Sequence, residues 1–389
     1  MKRLSFSCIV ILLTLVLTGC WDRTEINDIA IVMAASFDLL EDGKMLCTYQ
    51  IANPSTQTGS SEAKGPGQKF VIVSAVGEDV QELLAKAQKQ LSRKIFRAHR
   101  RIIIIGERMA EHGIGEILDS ISRDPSSRIR TFILIVKGGE GQDIIKMGYP
   151  FESTPAEGMR EMMVNVGEVP KILIRDLITA SSSEGIEPIV GTIKSLSNKS
   201  ENEPGFQISG AAILKDLKLS GYLNNEETSG LQWIKGDISN WDIKIKVPGT
   251  TGNVSITLTN MRRRIKPIMY GDVIKINLEL EGKGVIKEND PNLDLFQPKN
   301  INTVQAALQN QVNEQIRQII SKAQKKYKAD IFGFGDVIHR KYPRQWKSLE
   351  KDWDNKFSMV EAAVTSDLTI TDPGIIGAPL YLKKSEINK

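Results

Sequence analysis

Apolar positions recur along this chain with two different periods, and each period predicts a different element. Ile102 to Ile105 and Thr131 to Val136 are near-unbroken apolar runs, the pattern of strands buried on both faces. Ile29 to Phe37, Met45 to Ala52, Phe70 to Val73 and Ile189 to Ile193 read as further strands. Between them the spacing lengthens to three and four. Val80, Leu83, Leu84, Ala87 and Leu91 fall on one face of a helix predicted over Asp79 to Ile95, with Glu78 or Asp79 placed to cap its start. Gly115 to Arg123, Gln142 to Met147 and Lys171 to Ala180 read as helices as well, the first stopped before Pro125. Helices inserted between apolar strands imply a sheet with helices packed on it.

The pattern changes after the polar segment from Leu196 to Pro204. Gly210 to Leu214 and Leu219 to Leu223, joined by Lys215-Asp216-Leu217-Lys218, form a short hairpin signal. Later runs alternate. Val254, Ile256 and Leu258 share one face, as do Ile274, Ile276, Leu278 and Leu280, with Lys275, Asn277, Glu279 and Glu281 opposite them. Alternation predicts an antiparallel sheet covered on one side. Ile301 to Tyr327 is the longest helix signal, with Ile301, Val304, Leu308, Val312, Ile316, Ile319, Ile320 and Ala323 in one stripe. Val364, Ser366, Leu368 and Ile370 predict a last strand. The expected fold class is therefore mixed α/β, of the α+β kind. Successive domains each hold a sheet with helices packed on it, and the C-terminal sheet is antiparallel with one long helix. The expected division is a signal segment at residues 1–19, an N-terminal α/β domain at 20–200 and a C-terminal α+β domain at 205–389. A chain of 389 residues has room for two or three domains, at about 100–200 residues each.

Composition narrows the function. The formal charge of +4 is too small to signal a nucleic-acid partner. Arg93, Lys94, Arg97, Arg100, Arg101 and Arg262 to Arg264 form local clusters, read as solvated faces. Of the three cysteines, Cys8 lies in the apolar N-terminal segment. Cys47 sits in a strand-like run with no partner, so an inert buried thiol is expected and no intramolecular disulfide. Residues 53–68 are rich in Gly, Ser and Pro and read as a surface loop.

The search for chemistry finds no catalytic constellation. His99, His112 and His339 lack metal-ligand spacing, and there is no Cys-x-x-Cys pair. Gly282-Lys283-Gly284 lacks the third glycine of a dinucleotide loop, and Gly333-Phe334-Gly335-Asp336 reads as a chain reversal after the long helix. Glu226 and Glu227 suit the start of a helix, where carboxylates favour the dipole. Trp346 and Trp353, seven residues apart, suit one buried helical face. Catalytic residues, cofactor and metal are all expected to be absent.

The N-terminus carries the strongest motif. Lys2 and Arg3 precede an apolar run from Leu4 to Leu17, and Leu17-Thr18-Gly19-Cys20 closes it. The run is shorter than the roughly 20 residues a membrane span needs. It resembles the signal and lipobox of a bacterial lipoprotein. That resemblance implies cleavage after Gly19 and a lipid on the Cys20 sulfur.

The stretch Cys20-Trp21-Asp22-Arg23-Thr24-Glu25-Ile26 resembles the mature start of the Ger(x)C family, the C-subunit lipoproteins of spore germinant receptors. Arg101 to Glu107, Gly210 to Asp216, Gly221 to Leu223, Glu226 to Thr228, Asp330 to Gly335 and His339 to Pro343 resemble later family segments in the family's order. The long loop at 53–68 departs from the pattern. The resemblance implies a non-catalytic subunit on the outer face of the spore inner membrane. Its partners would be an A-type and a B-type membrane subunit, with the bilayer held through Cys20. Two other classes compete. A solute-binding lipoprotein of a transporter would show two similar lobes, and an exported hydrolase would show a catalytic motif.

Overall fold

The computed structural model describes residues 25–53, 70–165, 167–196, 205–271, 273–383 and 386. The signal segment, Cys20, residues 54–68 of the polar loop and residues 197–204 of the polar segment lie outside the described residues.

The first half builds one sheet from strands β1 (Ile29–Leu39), β2 (Met45–Ala52) and β3 (Phe70–Gly77), helix α1 (Val80–Gln88), then β4 (Lys94–Phe96) and β5 (Ile102–Ile105). Helices α2 (Glu107–His112) and α3 (Gly115–Arg123) lead to β6 (Phe132–Val136). Helices α4 (Gly141–Lys146), α5 (Pro155–Asn165) and α6 (Ile174–Ser181) precede β7 (Ile189–Leu196). Strands β1, β5, β6 and β7 are parallel at the centre. The unbroken apolar runs follow from this position. Ile103 and Ile105 face a core with α1, α2, α3 and α6, while Ile102 and Ile104 face a second core with α4 and α5.

The predicted helix over Asp79 to Ile95 stops at Gln88, because that side chain turns the chain into β4. Its amide donates to the Arg93 carbonyl at 2.9 Å and accepts from the Ile95 N–H at 2.9 Å. β4 then lies parallel to β1. Leu91 packs against the same core from the turn.

The sheet continues past the polar segment at 196–204. Strands β8 (Gly205–Lys215) and β9 (Lys218–Leu223) extend it, β8 antiparallel to β7 and β9 antiparallel to β8, giving the order β3-β2-β1-β5-β6-β7-β8-β9. Their turn places Asp216 and Leu217 at φ 50° and 59°, the paired positive angles of a tight two-residue hairpin. Alternation divides the side chains of β8 between two cores. Ala212 and Leu214 enter the core under α1, whereas Ala211 and Ile213 enter the core of the second half.

Helix α7 (Asn225–Lys235) crosses to the second sheet, formed by β10 (Trp241–Ile245), β11 (Val254–Tyr270), β12 (Val273–Asn289) and, after several helices, β13 (Glu361–Asp372). The first three strands are antiparallel, and β13 lies parallel to β12. A parallel pair needs a long crossover. Here it includes helix α8 (Pro298–Lys322) with a wide last turn at Ala323–Tyr327, then α9 (Phe334–Lys341), α10 (Pro343–Leu349) and α11 (Trp353–Ser358). The expected stripe on α8 is buried from Val304 to Ala323 against Val254, Ile256, Leu258 and Ile274 to Leu280 of the sheet.

The Gln-rich sides of α8 have a definite use. Gln309 Nε2 donates to the Leu368 carbonyl at 3.2 Å, Arg317 Nη2 to Val364 at 3.3 Å, and Gln305 Oε1 accepts from the Ile370 N–H at 3.1 Å. These groups belong to β13, one rim of the second sheet. Gln311 Nε2 reaches the Lys244 carbonyl of β10, the other rim, at 2.9 Å. Both rims of the first sheet are treated alike. Gln90 and Lys86 donate to the Ser74 and Val76 carbonyls of β3, and the Tyr327 hydroxyl donates to Tyr222 of β9.

Candidate functional site at the junction of the two sheets

Cys20 and Gly19, the residues expected to carry the lipid and the cleavage point, lie outside the described residues. Cys47 is fully buried, and burial pushes its thiol up to about 12. It stays protonated and unreactive. The histidines are dispersed: His99 tilts against Phe96, and His339 stacks on Trp346 with ring centroids 5.6 Å apart. Among the described residues no group of His, Cys, Asp or Glu has the arrangement to hold a metal. Asn224 caps α7, and Glu227 completes the capping box while pairing with Lys322 at 2.7 Å. The basic cluster near residue 100 is only partly a solvated face. Arg100 is buried, donates to Ser127 Oγ at 2.9 Å, and is lowered to about 10 by burial.

The densest polar arrangement is centred on Asp330. Its Oδ1 accepts the N–H groups of Phe332, Gly333 and Phe334 at 3.1, 2.9 and 3.2 Å. Its Oδ2 accepts the Gly335 N–H at 2.8 Å and the Trp353 indole N–H at 3.1 Å. The sequence arranges this locally. Gly333 takes φ 77°, which an L side chain resists, and so lets three successive N–H groups turn inward. This is the reversal expected at Gly333-Phe334-Gly335, with the buried aspartate as its hub.

The hub locks the second half onto the first. The Asp330 carbonyl accepts the Glu187 N–H at 2.8 Å, and Trp346 Nε1 donates to Glu184 at 3.1 Å. The backbones of Gly185 and Gly335 pass so closely that a Cβ on Gly335 would lie 2.6 Å from the Gly185 Cα. Trp346 and Trp353 seal the joint with ring centroids 5.1 Å apart. They sit on successive short helices, α10 and α11, where one continuous helical face was expected. Beside them opens a cavity of about 500 Å³, whose wall includes Glu187, Lys215, Asp216, Asp330 and Asp354. Lys215 pairs with Asp354 at 2.7 Å and also donates to the Lys328 carbonyl at 2.9 Å. The polar groups of the joint are thus engaged with one another. Their evident work is positional: they fix the angle between two sheets.

Burial pushes up five described carboxyl groups, Asp38, Glu168, Glu187, Asp237 and Asp330. Asp330 rises to about 6 and Glu187 to about 7. Asp38 also rises to about 7, although the Gly141 and Gln142 N–H groups at 2.5 and 2.9 Å oppose the shift. An acid raised in the folded state contributes stability that is complete below its unfolded value near 4 and is lost as pH climbs through the folded value. The melting midpoint is therefore expected to fall by several degrees between pH 5 and pH 8, and Asp38→Asn is expected to flatten that slope. A midpoint that rises over this interval in a buffer series would contradict the assignment.

Two unlike sheets, a shared hairpin and a buried joint define a two-part scaffold. Comparison with known proteins identifies its class. Residues 22–195 match the family model described as "Spore germination protein N-terminal domain", and residues 209–374 match "Spore germination B3/GerAC like, C-terminal". The chain is 27% identical over 375 residues to spore germination protein KC of Bacillus subtilis, covering 92% of each chain. It is 23% identical over 386 residues to spore germination protein B3 of the same organism, covering 97% of this chain and all of that one. A solved structure, "Crystal Structure of the GerBC protein", shares the fold with a TM-score of 0.59 at 18% identity, covering 87% of this chain and 97% of that chain. The chain belongs to the Ger(x)C family of spore germination proteins.

The joint was half legible in the sequence. Asp330 to Gly335 stood out as a family segment, and the glycines signalled a turn. Nothing in the sequence linked Asp330 to Trp353, or Gly335 to Gly185, because those contacts are made across the fold.

Proposed function

We propose that this chain is the lipid-anchored, non-catalytic subunit of a spore germinant receptor, assembling with an A-type and a B-type membrane subunit on the outer face of the spore inner membrane. The observation that carries the reading is the match of both halves, in order, to spore germination family models. The physical picture agrees with it. The buried polar groups at the joint are committed to holding the two sheets, and the buried thiol of Cys47 is held protonated. No helix among the described residues is long and apolar enough to cross a membrane, so a lipid on Cys20 would supply the attachment. Confinement to one bilayer raises the effective concentration of subunits, and modest contacts then suffice for assembly. The two sheets differ in strand order and helix cover, which disfavours the paired similar lobes of a solute-binding lipoprotein.

The test is affinity capture of the tagged chain from detergent-solubilised spore membranes, with the co-purifying proteins identified. Two integral membrane proteins in fixed ratio are expected. Their absence, together with an unchanged nutrient response in spores lacking this chain and its paralogues, would refute the proposal.

A further inference from the structure

Strands β1, β5 and β6 run parallel, so the segments that lead into them leave the sheet at one end. Hydrogen bonds tie these segments together. The Arg101 N–H donates to the Met33 carbonyl at 2.7 Å, the Phe132 N–H to the Arg101 carbonyl at 3.1 Å, and Thr131 Oγ1 to the Arg100 carbonyl at 3.1 Å. β4 joins them, with Lys94 opposite Ile29, the first residue of β1.

This end of the sheet is basic. Residues 93–101 hold five cationic side chains and no acid, and Arg128 and Arg130 stand beside Asp124 in the next segment. Some of these charges serve the loops themselves. Arg97 pairs with Asp124 at 2.8 Å, Arg100 holds Ser127, and Arg101 pairs with Glu157 at 3.3 Å. Lys94, Arg128 and Arg130 are exposed and form no ion pair within 4.0 Å among the described residues. Glu25 and Asp28, ahead of β1, reduce the surplus without removing it. Ile129, between the two free arginines, is 41% exposed.

The covalent chain decides what this face meets. Ile29 stands nine positions after Cys20, so at full extension the two are roughly 30 Å apart. A lipid on Cys20 therefore keeps this end of the sheet close to the bilayer. Anionic headgroups attract nearby Lys and Arg, and the attraction fades within a screening length of about 8 Å at physiological salt.

We propose that this end of the first sheet rests on anionic phospholipid headgroups, with Lys94, Arg128 and Arg130 against the phosphates and Ile129 at their level. The proposal rests on the reading of Cys20 as the lipid attachment. The contact is reversible and screened by salt, so it orients an anchored chain and does not replace the anchor. It turns the opposite end of the sheet, at Leu39, Ile105 and Val136, away from the bilayer.

The test uses the chain from residue 20 onward with Cys20→Ala, made without lipid. Adsorption is then read apart from the anchor, and a failure here leaves the receptor reading standing. Vesicles of phosphatidylcholine mixed with phosphatidylglycerol are expected to carry the protein down on sedimentation, and vesicles of phosphatidylcholine alone are not. About 1 M salt, which shortens the screening length to roughly 3 Å, should release it. Lys94→Gln, Arg128→Gln and Arg130→Gln combined should weaken adsorption about a hundredfold, at about fivefold per cation. Lys244→Gln, Lys246→Gln and Lys287→Gln, exposed on the second sheet, should together change it little. An environment-sensitive dye on Ile129→Cys, selective because Cys47 is buried, should brighten on the anionic vesicles. No sedimentation with anionic vesicles overturns the proposal and leaves an acidic protein as the complement of this face. Equal losses in the two triple variants mean that net charge alone acts, and overturn it. A dye that stays dim while the protein sediments means that another face is down, and overturns it equally.

Discussion

Asp330→Asn is expected to lower the melting midpoint by on the order of 10 °C at pH 7.5. The carboxylate accepts five N–H groups in a fully enclosed site. An amide of the same shape has one acceptor atom. Whichever way it turns, its NH₂ faces N–H donors, at least two of them if it takes the place of Oδ2. Each buried donor left unpaired costs about 1–3 kcal/mol, so about 3 kcal/mol in total is a fair expectation. At a few degrees per kcal/mol for a domain of moderate size, this gives the stated fall. Trp353→Phe withdraws one donor and leaves the acceptor intact, so its effect should be clearly smaller. Differential scanning calorimetry on the two variants and the parent decides the matter. Equal midpoints for Asp330→Asn and the parent would mean that the hub contributes nothing to stability.

Cys20→Ala is expected to move the protein from the membrane fraction to the soluble fraction with its fold unchanged. The argument is thermodynamic. An acyl chain contributes about 0.8 kcal/mol per buried methylene, and stable anchoring takes more than one chain. A diacylated cysteine meets that requirement, and the variant has none. Fractionation of spore lysates followed by circular dichroism of the released protein checks both halves of the prediction. A variant that stays with the membrane would mean that partner contacts or another surface suffice to hold it.

The sequence was a good guide to local structure where burial was one-sided or complete. Ile274, Ile276, Leu278 and Leu280 alternate as expected and are all buried. The stripe on α8 was legible because eight positions over 23 residues keep one phase. Short helices were harder. Glu107–His112 spans only six residues, too few for a period to declare itself. Pro155–Asn165 is apolar chiefly through Met159, Met162 and Met163, which mark burial but not phase. The polar segment at 196–204 reads as a boundary, yet β8 and β9 lie beyond it on the first sheet. Strand partnership depends on which edge is open, and composition does not record that.

The side chains that occupy individual backbone groups on each sheet rim have a further consequence. An open rim invites a neighbouring chain to add a strand, and repeated addition ends in fibres. If a lipid on Cys20 holds copies of the chain at one height above a bilayer, they would meet edge-on and often. A rim partly occupied by its own side chains gives such encounters a poorer template. Recognition among neighbours would then fall to surface shape and charge, which can tell one partner from another.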